Sequence, residues 1–370
     1  MRHSSYLEIN LNLLSENFAK IQSLAPKAKL LPMIKADAYG NGLIPISRYL
    51  VEEHKVEKLG CASLGEALRV FEECPHLPTE MLVFSDTELQ NPKYREAYLN
   101  LNITPVIHQR SDLDIVLDNP EFSKVPLVIK TNTGMNRLGL NLNELVEYAP
   151  KLKNRGIKHL LTHFALSYFP LKEGDKTHRQ MDEFLKIRRT LSDLGVSIEE
   201  TSVSNSGAIE QRFGVSETYV RPGLMLYGPP AVTDPHTWNG HQISRFVTKI
   251  LKTFTAKKGT PIGYGINVLP KDAFLAIIPI GYADGLVTFA SGLELNINGH
   301  RGQLFARINM DMAFIMFDPS VEGKIKAEDV VEIWNHDNKV ITDIANQMKT
   351  IPYQVMVAIS SRIPRIYKVK

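Results

Sequence analysis

The chain has 370 residues, of which 44% are hydrophobic and 22% are charged. This length and this balance indicate a soluble globular protein of two domains and exclude a disordered chain. The net charge of +3 is too small to favour nucleic acid as a partner. No apolar run has the length of a membrane span, no signal peptide fits the N-terminus, and two cysteines make no disulfide framework. We therefore expect a cytoplasmic protein with reduced thiols and no membrane partner.

Short apolar runs alternate with helical patterns from residue 1 to about residue 235. Leu11, Leu14, Phe18 and Ile21 recur every three or four residues, which predicts a first helix. Eight candidate strands are apolar enough to be buried on both faces, at residues 29–35, 58–63, 81–84, 103–108, 127–131, 157–163, 196–203 and 219–226. Eight strand–helix repeats predict a parallel (β/α)8 barrel of the TIM type over residues 1–235. An open doubly wound sheet is the alternative, but it usually has fewer strands.

The pattern changes after residue 235. Predicted strands lie at residues 246–256, 274–280, 293–297, 304–309, 314–317, 330–334 and 363–369, and only residues 341–348 have a helical pattern. We therefore expect a second, mainly antiparallel β domain over residues 236–370. Residues 229–240, rich in Pro, Thr and His, are the predicted linker.

Function in a β/α barrel belongs to the carboxyl ends of the strands, and those ends carry a distinctive set of side chains here. Lys35 closes the first strand, where desolvation would lower the pKa of its amine and favour Schiff-base chemistry. A salt bridge at the strand end is the bland alternative. The other ends supply Lys130, Arg137, His163, Ser206, Arg221 and Gly223. A phosphate-bearing cofactor whose carbonyl condenses with Lys35 would use all of them.

Five motifs in a fixed order support a more specific interpretation. They are IKADAYG at residues 34–40, TGMNRLG at 133–139, GYG at 263–265, IPIGYADG at 278–285 and NMD at 309–311. With these motifs the chain resembles the alanine racemase family across essentially its whole length. The resemblance implies a barrel that binds pyridoxal 5'-phosphate, a β domain, a small amino-acid substrate and a head-to-tail homodimer with shared active sites. It also implies a role in supplying D-alanine for bacterial peptidoglycan.

The resemblance assigns two bases to the reaction. Lys35 holds the cofactor as a Schiff base and acts on one face of the substrate's α-carbon, and Tyr264 of the partner subunit acts on the opposite face. Inverting a stereocentre requires such a pair, since a proton leaves one side and another returns to the other. The family pattern suggests that His163 and nearby arginines assist the phenol, whose ordinary pKa is near 10. Without the accompanying motifs, Tyr264 would be interpreted as a packing residue.

The remaining assignments by resemblance concern the cofactor and the substrate. Arg221 faces the pyridine nitrogen and keeps it unprotonated, so that proton return competes better with transamination; a structural salt bridge is its alternative. Arg137 and Met310 meet the substrate carboxylate, and Lys130 matches a lysine that is carbamylated in some members and orients that arginine. The phosphate positions match Tyr39, Ser206, Gly223, Leu224 and Tyr353.

Three residues depart from the family pattern. Asn132 stands where an aspartate is usual, Ser202 replaces the histidine behind Arg221, and Asn309 replaces a common cysteine beside Met310. They keep open a racemase that acts on several amino acids. A non-catalytic pyridoxal-phosphate-binding protein would be expected to be a lone barrel, and a related decarboxylase would be expected to lack Tyr264.

The sequence predicts no metal site. His159 and His163 have a spacing that could bind a metal on a helix, but on a strand they would lie about 13 Å apart. His159 is therefore interpreted as a structural histidine.

Overall fold

The computed structural model describes residues 4–233, 236–286 and 290–369. Its strands are β1 (Tyr6–Asn10), β2 (Lys29–Leu30), β3 (Lys58–Ser63), β4 (Glu80–Asp86), β5 (Ile103–Ile107), β6 (Val128–Lys130), β7 (Ile157–Leu161), β8 (Ile198–Asn205), β9 (Tyr219–Arg221), β10 (Ser244–Lys249), β11 (Lys252–Ala256), β12 (Ala273–Ile278), β13 (Glu294–Ile297), β14 (His300–Phe305), β15 (Ala313–Phe317), β16 (Val330–Trp334) and β17 (Arg365–Lys368).

The helical elements connect these strands. They are α1 (Leu11–Leu24), α2 (Lys35–Tyr39), α3 (Leu43–His54), α4 (Leu64–Glu73), α5 (Pro92–Asn100), α6 (Arg110–Asp118), α7 (Leu142–Arg155), α8 (Lys176–Asp193), α9 (Ser206–Glu210), α10 (Leu224–Tyr227), α11 (Asn338–Gln347) and α12 (Pro352–Val357). Within the described ranges, no helix is both long and apolar enough to span a bilayer.

Eight parallel strands form the predicted barrel. They are hydrogen-bonded in the order β2, β9, β8, β7, β6, β5, β4, β3. Backbone bonds join the two ends of this order, since Ile34 N donates to Gly60 O at 2.8 Å and Gly60 N donates to Pro32 O at 2.9 Å. Each of the eight predicted barrel strands is present, which confirms the barrel and excludes the open doubly wound sheet. Two of them are much shorter than predicted, since the first is confined to Lys29–Leu30 and residues 224–226 of the last belong to helix α10.

The barrel interior is layered. A small apolar cluster fills its middle, made of Leu31, Leu82, Val106, Val128, Leu161 and Tyr219. At the amino-terminal ends of the strands, buried Lys58 lies 3.2 Å from Glu80 and 2.5 Å from Glu200. The apolar layer therefore separates this lower ion cluster from the carboxyl ends of the strands above.

The C-terminal region is mainly antiparallel, as predicted, and its strands are divided between two sheets. One has the order β11, β12, β15, β14, β13, and the other has the order β16, β10, β1, β17. Strand β1, which the sequence did not predict, pairs antiparallel with β10 and parallel with β17. The chain therefore contributes strand β1 to the second sheet ahead of the barrel strands.

Two predictions for this region are wrong. Residues 246–256 form two strands in different sheets, because Ile250 and Leu251 turn the chain between β10 and β11. Residues 341–348 are not the only helical stretch, since α12 follows α11 with Pro352 at its first position. Proline at that position removes only an N–H that a helix start leaves unpaired.

The predicted linker, residues 229–240, is irregular where it is described, and residues 234–235 lie outside the described residues. Buried Glu210, at the end of α9, holds it. Its two carboxylate oxygens accept the backbone N–H groups of Ala231, Val232, Thr237 and Trp238. Satisfying both oxygens in this way allows the carboxylate to be buried.

Candidate active site

A cavity of about 270 Å³ lies at the carboxyl ends of the barrel strands. Ten residues singled out from the sequence line it, namely Lys35, Tyr39, Lys130, Arg137, His163, Ser206, Arg221, Gly223, Leu224 and Tyr353. Tyr264 and Met310 do not line it in the single chain, and their side chains are 68% and 53% exposed. The fold therefore brings together nine barrel residues and Tyr353 of the β domain, and it leaves Tyr264 and Met310, also of the β domain, on the surface.

The segment after the first barrel strand has an unusual backbone. Ala36, Asp37, Ala38 and Tyr39 have φ values of 51° to 55°, so α2 is a left-handed turn that starts at Lys35. Residues other than glycine pay about 1–2 kcal/mol each for this conformation. Such strain is maintained only where surrounding contacts determine it, and it is concentrated at functional sites.

Glu66, on α4, braces this turn. Its Oε1 accepts the backbone N–H of Ala36 at 2.6 Å, and its Oε2 accepts that of Ala62 at 2.7 Å. One carboxylate thus ties the residue after Lys35 to the end of β3. Glu66 is not among the site residues predicted from the sequence, although the Ser63-x-x-Glu66 spacing of a helix start could have drawn attention to it.

The charged side chains that line the cavity are all cationic. Lys35, Lys130, Arg137 and Arg221 line it, and no carboxylate is among its described lining residues. Desolvation, then Arg137, lowers the pKa of Lys35, and Glu66 opposes this shift. Burial and the neighbouring cations Arg137, Arg221 and Lys35 lower the pKa of Lys130 to about 8. An anionic ligand is the natural complement of this lining.

Arg221 lies at the bottom of the cavity and is only 3% exposed. Its guanidinium donates to Ser202 Oγ and to the carbonyl oxygens of Thr162 and Val203, and none of these acceptors carries a charge. Burial lowers the pKa of Arg221 to about 9, which leaves it charged at neutral pH. The salt bridge considered for Arg221 does not occur among the described residues.

The cavity wall formed by the ends of β8 and β9 and by the turn after Lys35 allows a ligand to approach the backbone closely. Gly223 N donates to Ser206 Oγ at 2.9 Å. A Cβ atom on Gly223 would lie 2.3 Å from the hydroxyl oxygen of Tyr39, so only glycine leaves this space open. The Tyr39 ring stacks on that of Tyr227 at 4.9 Å, and the Tyr353 ring lies 5.9 Å away.

His163 faces the cavity from the end of β7. Among the described residues its ring forms no hydrogen bond, and desolvation followed by the nearby cations holds its pKa well below the ordinary value. Gln180 of α8 fixes the segment, because it donates to His163 O at 3.0 Å and accepts from Ala165 N at 2.8 Å. A neutral imidazole is thus available to a group that enters the cavity.

The β domain presents an exposed apolar surface formed by Tyr264, Ile266, Tyr282, Met310 and Met312. We call it the 264–312 surface. Its two loops adjoin, since a Cβ on Gly263 would lie 4.0 Å from Asn309 Oδ1. Ile266 is 98% exposed, which is unusual for a large aliphatic side chain. Contiguous exposed apolar groups of this kind mark interaction sites.

Fold and cavity define the class of the molecule. It is a two-domain β/α-barrel protein with a lysine, Lys35, in the turn that follows the first barrel strand, inside a cavity suited to a small anion. Within the described ranges, no group of three His, Cys, Asp or Glu residues is arranged to hold a metal ion.

Comparison with known proteins identifies the family. The family model of the alanine racemase N-terminal domain matches residues 9–230, and that of the C-terminal domain matches residues 243–367. The alanine racemase of Halothermothrix orenii is 31% identical to this chain and covers 99% of it and 97% of its own length. The chain belongs to the alanine racemase family.

Solved structures agree with this assignment. The alanine racemase of Acinetobacter baumannii is 26% identical, with a TM-score of 0.83 over 99% of this chain and 100% of that chain. The alanine racemase of D-cycloserine-producing Streptomyces lavendulae, at 23% identity, has the same fold with a TM-score of 0.87 over 100% of this chain and 98% of that chain.

Proposed function

We propose that this protein is an alanine racemase that interconverts L-alanine and D-alanine with pyridoxal 5'-phosphate as its cofactor. The observation that carries the proposal is the cavity at the barrel mouth, where the Lys35 amine stands among three further cations without a carboxylate. A non-catalytic carrier of the same cofactor has no use for the exposed Tyr264 on a second domain.

The residues present fit the cofactor. The Lys35 amine has no ion-pair partner in the described chain, and its lowered pKa favours the free base that reacts with an aldehyde. The phosphate would lie against Tyr39, Ser206, Tyr353 and the backbone N–H groups of Gly223 and Leu224, where glycine leaves room for it. Arg221 would donate to the pyridine nitrogen and retain its proton, since its pKa stays above neutrality.

The chemistry divides between the cofactor and the chain. When bound, the cofactor withdraws electrons from the α-carbon, which makes the hydrogen on that carbon acidic. Lys35 Nζ would move the proton on one face, and the phenol oxygen of Tyr264 of the partner subunit would move it on the other. Neutral His163, whose ring is unpartnered among the described residues, would hydrogen-bond that phenol.

A homodimer supplies the second base. Tyr264 lies on the exposed 264–312 surface, outside the cavity of its own chain. Docking this surface on the barrel mouth of a second copy would bury its apolar side chains and bring Tyr264 and Met310 to the partner's cavity. In this arrangement residues 1–235, apart from strand β1, form the cofactor-binding barrel, and residues 236–370 together with β1 form the β domain that completes the partner's site.

Substrate binding would involve Arg137 and Met310 of the partner subunit at the carboxylate. Carbamylation of Lys130 is compatible with its pKa of about 8, which leaves a fraction of its amine free at neutral pH to take up carbon dioxide. The modification would replace a like charge beside Arg137 with a negative one. We further propose that the protein acts in a bacterial cytoplasm and supplies D-alanine for peptidoglycan, and that alanine is preferred over larger amino acids.

The test is purification with added pyridoxal 5'-phosphate. The wild-type protein should be yellow and form D-alanine from L-alanine, and Lys35→Ala should lose both properties. L-Serine, L-lysine and L-arginine, incubated in parallel, measure the preference for alanine. A colourless wild-type protein that forms no D-alanine would overturn the proposal.

A further inference from the structure

One chain of polar side chains crosses the apolar layer of the barrel. Arg221 Nη1 donates to Ser202 Oγ at 2.5 Å, and Ser202 Oγ lies 2.8 Å from His159 Nε2. Ser202 and His159 are both 0% exposed. His159 Nδ1 in turn lies 3.9 Å from Glu200 Oε2 in the lower ion cluster. His159 Nδ1 has no hydrogen-bond partner among the described residues, so the hydrogen-bonded chain runs from the cavity to His159 and ends there.

The direction of the hydrogen bonds follows from the chemistry of the groups. A guanidinium can only donate, so Ser202 Oγ accepts from Arg221 and must send its own proton elsewhere. Among the described residues, the other polar atom bonded to this oxygen is His159 Nε2. The hydroxyl therefore donates to Nε2, and the ring carries its proton on Nδ1, facing the Glu200 carboxylate.

The direction of the Arg221 guanidinium depends on the Ser202 hydroxyl. It has no carboxylate partner, and two of its three acceptors are backbone carbonyl oxygens that the strands already fix. The third, the Ser202 hydroxyl, could turn its proton toward the guanidinium if nothing else accepted it. His159 removes that freedom, and it is itself held by its stack on Tyr219, with ring centroids 5.5 Å apart.

We propose that His159 is a positioning residue that acts through Ser202 to fix the direction of the Arg221 guanidinium toward the cofactor's pyridine nitrogen. Burial holds the pKa of His159 well below its ordinary value, so the ring stays neutral and keeps Nε2 as an acceptor. This inference rests on the proposed function, since it concerns how the cofactor is held.

Two substitutions distinguish the hydrogen bond that His159 accepts from the packing of its ring. His159→Phe keeps a ring against Tyr219 and removes the acceptor, whereas His159→Gln loses the ring and keeps an acceptor at a similar reach. We expect His159→Phe to weaken pyridoxal 5'-phosphate binding about fivefold to tenfold, the effect of one buried hydrogen bond. It should also shift the visible absorption spectrum of the bound cofactor. His159→Gln should restore most of both.

A third variant tests whether the effect passes through Ser202. In the Ser202→Ala background, His159→Phe should change neither the dissociation constant nor the spectrum any further. Equal losses in the Phe and Gln variants, or a lower melting temperature with an unchanged spectrum, would assign His159 a packing role and overturn the inference. If the wild-type protein binds no cofactor in this titration, the proposed function fails. If the wild-type protein binds the cofactor and His159→Phe binds it equally well, only the inference about His159 fails.

Discussion

Glu66 offers a direct test of how Lys35 is positioned. The left-handed turn after Lys35 contains four residues other than glycine, which together store about 4–8 kcal/mol of backbone strain. Glu66 opposes this strain through its hydrogen bonds from Ala36 N and Ala62 N. A hydrogen bond to a charged acceptor is worth about 1.5–3 kcal/mol, and the lower value applies because the contact with Ala36 is exposed.

Two variants of Glu66 should then differ in degree. Glu66→Gln keeps one carbonyl oxygen, so it should lose about one bond, or ~1.5 kcal/mol, and bind pyridoxal 5'-phosphate roughly tenfold more weakly. Glu66→Ala removes both bonds and should lose ~3 kcal/mol, a further factor of roughly ten. The assay is a cofactor titration followed by visible absorbance. Glu72→Ala, at an exposed acid on the same helix, is the matched control.

The comparison of the two variants also tests whether Glu66 acts through its hydrogen bonds or through its negative charge. Both substitutions remove the negative charge that raises the pKa of Lys35. If Glu66 acted only through that charge, Glu66→Gln and Glu66→Ala would be equally impaired. That equality, or no loss in either variant, would refute the bracing role.

Three other perturbations give expected outcomes. The pKa of Lys130 falls from 10.5 to about 8 on folding, so the unfolded chain binds more protons than the folded chain between these pH values. The free energy of unfolding of the unmodified, cofactor-free protein, measured by urea titration, should therefore rise with pH across that window by up to ~1.4 kcal/mol per pH unit. The slope should be smaller in Lys130→Met, and an equal slope in both proteins would count against this explanation. Gly223→Ala would place a Cβ 2.3 Å from the Tyr39 hydroxyl and should weaken cofactor binding by about tenfold or more, whereas Gly65→Ala, whose Cβ meets only Ser63 Oγ at 3.9 Å, should not. Arg221→Glu should raise abortive transamination relative to racemisation, measured as pyruvate formed per turnover, and an unchanged ratio would argue against the assigned role.

The barrel could be predicted because buried parallel strands leave a plain signal. Each of the eight strands is a short apolar run between helical patterns, and that pattern depends only on local sequence. Strand β1 could not be found in this way. It is five residues long with polar Glu8 at its centre, and it is stabilised by β10 and β17, more than two hundred residues further along the chain.

The site was predicted as a set of residues but not as a geometry. The residue types of Ala36, Asp37 and Ala38 do not indicate a left-handed turn, because tertiary contacts impose it. Glu66 holds the start of the turn. Gly40, at its end, lies against Met356 O, and a Cβ added to this glycine would approach that oxygen to 2.3 Å. The link from His159 to Arg221 depends on the register of neighbouring strands, which periodicity does not specify.

Lys35 and Tyr264, the two proposed bases of one active site, are expected to come from different subunits. Mixing, unfolding and refolding equal amounts of Lys35→Ala and Tyr264→Phe subunits tests this directly. Random pairing makes about half of the dimers hybrid, each with one intact site, so racemase activity should recover to about a quarter of the wild-type value although neither parent is active. If the mixture is no more active than its parents while hybrid dimers are demonstrably present, Lys35 and Tyr264 do not meet across the interface and the account is wrong.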